Sequence, residues 1–473
     1  MSNLTAKNTQ RIRYIIADLL TGALAMWVFN IVRFYLLYEV RYFTDLWNYL
    51  GSTKLVLEQI IIPPCLLIIY WLSGYYNQPF KRSRLQEFNT TFLSEIVNTV
   101  IIYLVLLVND QTDKRIINYE MIGVLFGTFF LLTYSVRLLI TAYAIHHFRK
   151  DIWHINVLII GNSKVARATA SKLKSVKRDA RYNVSGFVEI PGETSVNDNE
   201  KVMPLEKLKD PDSLSGIDQV ILAPQTIDDK KVMKLLSVLF PLKIPVKISP
   251  DTFSFVTSAI KMNDIYAEPF VDLTGPAISE SSKNIKRTFD VSVSLFILVI
   301  LSPVFGIIAA LVKIFTKGPV FYHQERIGRY QQPFMIHKFR TMEPNAEETG
   351  PQLSNEDDPR VTKIGKWLRK YRLDELPQFW NVFKGEMSIV GPRPEREFYI
   401  RKIIEKAPYY TLVCQVRPGI TSWGMVKYGY ASTVDQMVER TRYDLLYLAN
   451  MSLTVDCKIL IYTIKTVAGG EGV

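Results

Sequence analysis

Hydrophobic positions fall into long unbroken stretches near the N-terminus and shorter ones afterwards. Residues 12–37, 55–76, 92–108 and 121–145 are apolar almost throughout. Most of them approach the roughly 20 residues that a helix needs to cross a bilayer. Few polar residues interrupt them, and Trp27, Trp47 and Trp71 stand where interfacial aromatic belts are expected. Buried helices of a soluble core are the plain alternative, and four such stretches in series speak against it. From about 153 to 270 the pattern changes. Residues 155–160 form the continuous apolar run of a buried parallel strand, Gly161 ends it, and 163–173 reads as a helix. Residues 184–190, 219–222 and 245–248 read as further strands, with a helix over 228–239. This alternation predicts a doubly wound α/β fold.

A fifth apolar stretch, 291–312, is interrupted by Ser302–Pro303. Proline removes a helix hydrogen bond and clashes with the preceding turn, so a break is expected there. Lys283, Lys286 and Arg287 precede the stretch, and Lys313 and Lys317 follow it. Positive charge on both flanks favours a helix–break–helix over about 286–313 that enters and leaves on one face, rather than a kinked span. Asp290 stands at its mouth, where it could pair with a cation. Lysine and arginine also set the orientation. Lys7, Arg11, Arg13, Lys81, Arg82, Arg84, Arg149 and Lys150 on one side outnumber Arg41, Lys54, Lys114 and Arg115 on the other. The N-terminus and everything after His147 are therefore expected on the cytoplasmic side. The start of the chain runs into the first apolar stretch with no small-residue cleavage pattern, which reads as an anchor. The expected division is 1–148 transmembrane, 149–275 α/β, and 276–473 catalytic.

Composition narrows the chemistry. The 473 residues carry a net charge of +12, and the mean hydropathy is +0.09. That sign suits nucleic acid, an anionic membrane surface or anionic substrates. The apolar stretches favour the membrane and phosphate readings over nucleic acid. Cys65, Cys414 and Cys457 are far apart and form no metal or disulfide pattern. Five histidines leave little room for histidine-based metal chemistry. In the α/β part, Gly161, Ser163 and Ala166 occupy the glycine positions of a dinucleotide fingerprint, and no acidic residue clearly ends the second strand. A regulatory or scaffolding domain fits these residues better than a cofactor site.

Beyond Phe321 the sequence is dense in short signatures: HQERIGR at 323–329, KFRTM at 338–342, DPRVTKIG at 358–365, and WLRKYRLDELPQFWNVFKGEMSIVGPR at 367–393. Arg326, Arg329, Arg340, Arg360, Arg369, Arg372 and Arg393 sit among turn residues and apolar anchors, not in one run. That arrangement suits a pocket for phosphate oxygens, because arginine meets phosphate through a planar fork. A solvated basic face is the alternative. Asp374–Glu375 lies amid this basic ground, and Pro377 pins the backbone beside it. Arginines around the pair should keep both carboxylates ionised. One could then bind Mg²⁺ with substrate phosphates, and the other could attack phosphorus. Taken alone, an acidic pair is more often plain surface charge.

The last 190 or so residues resemble the bacterial sugar transferases, the polyprenyl-phosphate hexose-1-phosphate transferases. The matching residues are 338–342, 360–365, 373–382, 387–394, 417–421 and RYDLLYLANMSLTVD at 442–456. The order of four membrane helices, α/β domain and catalytic part is similar to the large members. The resemblance implies a membrane protein built of a four-helix transmembrane bundle, a Rossmann-like α/β domain, and a mainly α catalytic domain with a re-entrant helix broken at Ser302 and Pro303. It implies Asp374 as nucleophile on the β-phosphorus of a UDP-sugar and Glu375 as Mg²⁺ ligand. By position relative to the pair, Arg369 and Arg393 match the family's functional arginines, and Lys338 and Asp444 match across stretches where loop lengths vary; with Arg340, Arg360 and Arg372 of the basic pocket they are the expected substrate-binding residues. UMP would leave, and undecaprenyl phosphate would accept the phosphosugar, glucose or galactose by family frequency. The bacterial cytoplasmic membrane, a homodimer, and a start to capsule, exopolysaccharide or O-antigen assembly are implied with it. Ser422-Trp423-Gly424-Met425 departs from the usual run after residue 421, which bears on the sugar or lipid pocket. A nucleotide-sugar dehydratase built on the α/β part, or a sensor without turnover, are the competing readings. The incomplete glycine fingerprint and the lack of a following Tyr-x-x-x-Lys dyad argue against the first.

Overall fold

The computed structural model describes residues 3–37, 45–80, 84–107, 115–150, 153–175, 182–193, 202–209, 214–225, 229–248, 271–272, 278–347, 350, 352–353 and 358–468. Arg41, Lys81, Arg82 and Lys114 of the charge argument, Asp228 of an expected helix, and residues 249–270 lie outside them. The chain forms two compact units. One holds Met1–Ile155 with Lys174–Asn183 and Ser279–Ile285; the other holds Asn156–Leu173, Val184–Ile278 and Lys286–Val473.

The first unit is helical. Helices α1 (Asn3–Leu36), α3 (Thr53–Leu72), α4 (Arg84–Ile102) and α5 (Arg115–Arg149) are joined by a short α2 (Leu46–Leu50), and a π-helical turn, Tyr103–Leu107, extends α4. Four stretches, Ala6–Leu36, Thr53–Leu72, Arg84–Leu106 and Ile116–Phe148, are long and apolar enough to cross a membrane. They begin two to eight residues before the four expected segments; the first three end one to four residues earlier than expected and the fourth ends three residues later. Helix α1 packs on α3 and α5, and α4 packs on α5. Tyr14, Met26, Phe29, Tyr70, Leu125 and Phe129 form the core. Leucines and isoleucines such as Leu20, Ile60 and Leu131 face outward, the inverse of a soluble bundle. Inside, Asp18 takes both forks of Arg137, Nε at 2.8 Å and a terminal nitrogen at 2.8 Å. Arg33 pairs with Glu58 at 3.1 Å. Buried charges in a span must be paired, because the apolar surroundings cannot solvate them.

In the second unit, a six-stranded sheet runs in the order β3 (Val202–Pro204), β2 (Tyr182–Glu189), β1 (Ile155–Ile160), β4 (Gln219–Leu222), β5 (Val246–Ile248), β6 (Val271–Asp272). Strand β1 runs parallel to β4, β4 to β5 and β2 to β3, and β6 runs antiparallel to β5. Helices α6 (Lys164–Ser175) and α7 (Asp229–Leu239) complete it. Gly161 has φ 126°, and a Cβ there would lie 2.4 Å from the Ala223 carbonyl oxygen. The first fingerprint glycine thus has a packing reason at the β1–β4 turn. Strand β2 ends on exposed Glu189, one residue earlier than expected, so an acidic side chain does close the second strand.

The rest of this unit is mainly helical. Helices α8 (Glu280–Ile300) and α9 (Ser302–Phe315) meet at a 62° bend. Pro303 sits in the first turn of α9, and the Ser302 hydroxyl donates to the Val299 carbonyl at 2.8 Å, so the break falls where the sequence places it. A hairpin of β7 (Phe321–Ile327) and β8 (Pro333–Phe339) follows, then α10 (Lys363–Lys370), α11 (Gln378–Lys384), β9 (Ser388–Val390), α12 (Glu397–Lys406), β10 (Gly419–Thr421), α13 (Trp423–Lys427), α14 (Val434–Ala449) and α15 (Leu453–Ala468). The flanking cations of α8 turn inward. Lys286 reaches the Val390 carbonyl at 2.9 Å and Asp456 at 2.7 Å; Arg287 reaches the Val382 and Phe383 carbonyls at 2.6 and 2.8 Å. Asp290 accepts the Ile389 N–H at 3.0 Å. It ties α8 to β9 through a backbone amide, and the charges of Lys286 and Arg287 act on it as well. Ile308 and Val312 of α9 pack on Phe339 and Leu368.

Candidate active site

Asp374 and Glu375 lie on a single 3₁₀ turn, Leu373–Glu375, between α10 and α11. Arg372 enters it with φ 51°. A non-glycine residue pays for this left-handed conformation in steric strain. Pro377 at φ −61° starts α11 immediately afterwards, so the chain on both sides of the pair has restricted freedom. Both carboxylates are buried, at 7% and 6% exposure.

Four elements bring cations to them. Lys338, near the end of β8, donates to Glu375 Oε1 at 2.8 Å and lies 4.0 Å from Asp374 Oδ2. Arg372 is 3.4 Å from Glu375 Oε2, and Arg393 is 3.6 Å from Oε1. Arg369, on the last turn of α10, is steered by a 2.9 Å bond from its Nε to the Thr341 hydroxyl, and its charge acts on Asp374. The placement of α10 depends on Gly365, where a Cβ would fall 2.1 Å from the Thr341 carbonyl oxygen. Arg393 follows β9. There Gly391 and Gly419 let two backbones approach until the Gly391 N–H reaches Thr421 O at 3.0 Å and the Gly419 N–H reaches Pro392 O at 2.8 Å. Arg393 also donates to the Met425 sulfur at 2.9 Å, so the departing Ser422–Met425 segment touches a site cation.

The two carboxyls separate electrostatically. Burial alone raises Glu375, but Lys338, then Arg372 and Arg393, outweigh it and hold the group well below the usual carboxylate range. Asp374 goes the other way. Burial raises it, Lys338 only partly offsets this, and the charge of Glu375 adds to the rise. The expectation that surrounding arginines lower both carboxyls therefore holds for Glu375 alone, because Asp374 keeps its closest cation at 4.0 Å.

The other arginines of the signatures have different partners. Arg360 binds Asp358 at 2.8 and 2.5 Å and the Ala346 carbonyl at 3.2 Å. Arg340, just past the end of β8, is buried against Thr316 at 2.6 Å, beside Gly318. Arg326 holds the Pro394 carbonyl at 3.2 Å, and Arg329 the Gln415 carbonyl at 2.9 Å. Asp444 accepts the Gly424 N–H at 3.1 Å at the start of α13. Burial pushes its carboxyl up to about 6, with Arg440 opposing the rise. Lys338, Arg369, Arg372 and Arg393 are thus gathered at the pair, while Arg340 bonds to Thr316, Arg360 to Asp358 and Ala346, and Asp444 to Gly424. Thr341, Gly365, Gly391 and Gly419 position the site without carrying charge; all four lie inside the stretches singled out in the sequence, where their type alone gave no sign of that task.

Among the described residues no group of three His, Cys, Asp or Glu side chains converges as a metal cage. A hard divalent cation that shares its shell with substrate phosphates asks for fewer: one or two carboxylates suffice for Mg²⁺. Two adjacent buried carboxylates, one of them held ionised, fit that requirement.

Comparison with known proteins agrees with this geometry. The family model described as bacterial sugar transferase matches residues 281–470. The chain is 40% identical over 188 residues to the UDP-N-acetylgalactosamine-undecaprenyl-phosphate N-acetylgalactosaminephosphotransferase of Aeromonas hydrophila, covering 40% of this chain and 44% of that one. It is 33% identical over 285 residues to the UDP-glucose:undecaprenyl-phosphate glucose-1-phosphate transferase of Escherichia coli K12, covering 60% of this chain and 61% of that one. Both alignments leave more than a third of the relative unmatched. Against the exopolysaccharide production protein ExoY of Sinorhizobium fredii, 38% identity over 206 residues covers 40% of this chain and 87% of the relative. The chain belongs to the bacterial sugar transferase family.

Proposed function

We propose that the protein transfers a hexose-1-phosphate from a UDP-sugar to undecaprenyl phosphate in two displacements at Asp374. The single observation that carries this reading is the inequality of the pair. Glu375 takes three cations at 2.8 to 3.6 Å, whereas Asp374 keeps its nearest at 4.0 Å, so one buried carboxylate is tied down and its neighbour is left to attack. In the first displacement an Asp374 oxygen bonds to the β-phosphorus of the UDP-sugar, the bond to the bridging oxygen breaks, and UMP departs with that electron pair. The hexose phosphate is left as an acyl phosphate on Asp374. In the second, an oxygen of undecaprenyl phosphate bonds to the same phosphorus and the Asp374 carboxylate is released. The product is undecaprenyl diphosphate hexose. Neither step moves a proton, which suits a site of lysine and arginine.

Phosphoryl transfer is mostly positioning and charge stabilisation. Arg393, Arg372 and Lys338 hold Glu375 in place, and their remaining donors are directed at phosphate oxygens. Raised basicity makes Asp374 the better nucleophile of the two. Mg²⁺ would be held by Glu375, with Asp374 alongside, and would neutralise charge on the diphosphate. We read α8–α9 as a re-entrant pair. Its 62° bend and the exposed Leu295, Phe296, Val299, Ile300, Val304 and Ile307 suit a wedge dipping into lipid, and the Lys286 and Arg287 contacts keep its entry on the catalytic domain. On this reading the catalytic face is cytoplasmic, where UDP-sugars are made, in a bacterial inner membrane.

The names of the two transferases above carry N-acetylgalactosamine and glucose; for this chain glucose or galactose is proposed, with N-acetylgalactosamine as the competing sugar. The test is UMP release by purified protein with undecaprenyl phosphate, Mg²⁺ and a panel of UDP-sugars. Release with one or two sugars, abolished in Asp374→Asn, supports the reading. Release that survives Asp374→Asn overturns it.

A further inference from the structure

Two of the five histidines of the chain meet across the β7–β8 hairpin. His323 and His337 are register partners, and their Nδ1 atoms lie 2.7 Å apart. At that separation one Nδ1 carries a hydrogen and the other accepts it, since two protonated nitrogens would repel. Directly opposed side chains in an antiparallel pair stand on the same face, close enough to share a ligand. Successive residues alternate faces, so His337 points away from the side on which its neighbour Lys338 reaches Glu375. The pair is therefore outside the catalytic cluster. It is also open to water: His323 is exposed and His337 half-buried.

The surroundings hold this geometry. Phe321 and Phe339, the next register pair on the same face, stack at 5.3 Å. The backbone N–H of His337 donates to Asn381 Oδ1 at 3.1 Å, and Asn381 in turn binds Glu386 at 2.6 Å. Burial, with the charges of His323 and Lys384, keeps His337 below the usual imidazole range, partly opposed by Glu386. A neutral imidazole is the form that ligates metals.

We propose that His323 and His337 form a two-imidazole chelate for a transition-metal dication of the zinc and copper class. The donor imidazole moves its hydrogen from Nδ1 to Nε2, and both Nδ1 lone pairs then face the ion, with no net change in protons. Zinc–nitrogen bonds of about 2.0–2.1 Å at a near-tetrahedral angle set the nitrogens about 3.3 Å apart. The pair must open by about half an ångström, within reach of small χ rotations in a hairpin. Water fills the remaining positions, since among the described residues no third ligand joins the pair. Imidazole selects zinc, copper and nickel, whereas the oxygen ligands at Glu375 suit magnesium, so the two sites differ in the ion they take. This inference does not rest on the transfer reaction.

The test uses the full chain, purified without a polyhistidine tag and kept in Mg²⁺ buffer. It is titrated with zinc chloride by calorimetry and, separately, with copper(II) chloride followed by electron paramagnetic resonance. Wild type is expected to show one zinc site that His323→Gln and His337→Gln each weaken at least tenfold. The copper spectrum is expected to show two coupled nitrogens, falling to one in either variant. His146, His147 and His154 remain in every sample, so binding there cancels in the comparison. Both variants are checked for an unchanged thermal midpoint; His323→Gln, at an exposed position, secures the result if His337→Gln misfolds. Zinc isotherms identical in wild type and His323→Gln, or a copper spectrum indifferent to the change, would show that the pair shares a hydrogen and nothing more.

Discussion

The protein contains two clusters of carboxylates and basic side chains that use the same groups in opposite ways. In the helical unit, Asp18 and Arg137 match one to one. Both bonds are 2.8 Å, Tyr76 adds a third to Asp18 at 2.8 Å, and the guanidinium lies between the Tyr70 and Tyr75 rings at 4.1 and 3.7 Å. Neither residue exceeds 1% exposure. At Asp374–Glu375 the cations outnumber the carboxylates, their distances spread from 2.8 to 4.0 Å, and their side chains are 17–23% exposed. The first arrangement is saturated and dry, so it serves folding. The second brings more positive charge than its two carboxylates neutralise, which suits the proposed binding of anions. The count of charges, more than their kind, separates structure from site.

The comparison breaks most sharply at Asp374, the proposed nucleophile. Asp374→Asn keeps the shape and removes the attacking oxygen's charge; transfer should fall by at least about 10³-fold. The thermal midpoint should hold or rise, because a buried carboxyl already pushed up by its surroundings is no longer a charge to bury. UMP release and a melting curve on the same sample check both parts. A comparable loss of a different kind is expected at Arg137→Met. Orphaning a buried carboxylate costs about 3–5 kcal/mol, read as a lower midpoint and poor recovery from the membrane. Asp18→Asn combined with Arg137→Met should recover much of that loss. If the double variant is as damaged as the single one, the bundle pair is more than a matched structural contact.

Much of this organisation is legible in the sequence, and the reasons for the gaps are physical. Long apolar runs announced α1, α3, α4 and α5, because bilayer thickness imposes a length. The continuous run at 155–160 announced β1, and Pro303 announced the bend. Strands β3 and β6 span three and two residues, too short for any periodicity. The polar interruptions of the spans seemed incidental because Asp18 and Arg137 are 119 positions apart, and only the packing of α1 on α5 joins them. The same holds for the arginines. Spacing places Arg340 two residues after Lys338, as if on one face, but β8 ends at Phe339 and the alternation lapses. Resemblance singled out Asp374 and Glu375; their opposite electrostatics required the positions of Lys338, Arg372 and Arg393.

A milder intervention targets the cation shared by both carboxylates. Lys338→Met removes the strongest charge that opposes burial at Asp374 and at Glu375. Both groups should then titrate higher. The reaction needs Asp374 ionised, so the acid limb of the pH–rate profile should move to higher pH, and transfer at neutral pH should fall on the order of 10²-fold. Rates of UMP release between pH 5 and 9 decide it. A drop with no shift of the acid limb would assign Lys338 to substrate phosphate and not to the pair.

The smallest effect is expected at Asp444, which tests the rule from the structural side. Its carboxyl is 5% exposed and accepts the Gly424 N–H, with Arg440 nearby but bonded to Glu395. Burial pushes it up to about 6, above the value near 3.9 of an unfolded aspartate. The folded state therefore binds this proton more tightly than the unfolded state does. The group favours folding most below pH ~3.9, and that advantage is withdrawn as pH rises through about 6. Asparagine at 444 cannot ionise, yet it can still accept from Gly424. Relative to wild type, Asp444→Asn should gain about 1.4 kcal/mol of stability between pH 5 and pH 8, because only the part of the gap from pH 5 up to about 6 falls inside that window. Transfer should stay within a few-fold of wild type. Midpoints at the two pH values, with UMP release alongside, check both. Lost transfer in a variant that melts normally would mean that a carboxylate bonded to backbone also meets substrate, and charge count would no longer suffice to tell site from scaffold.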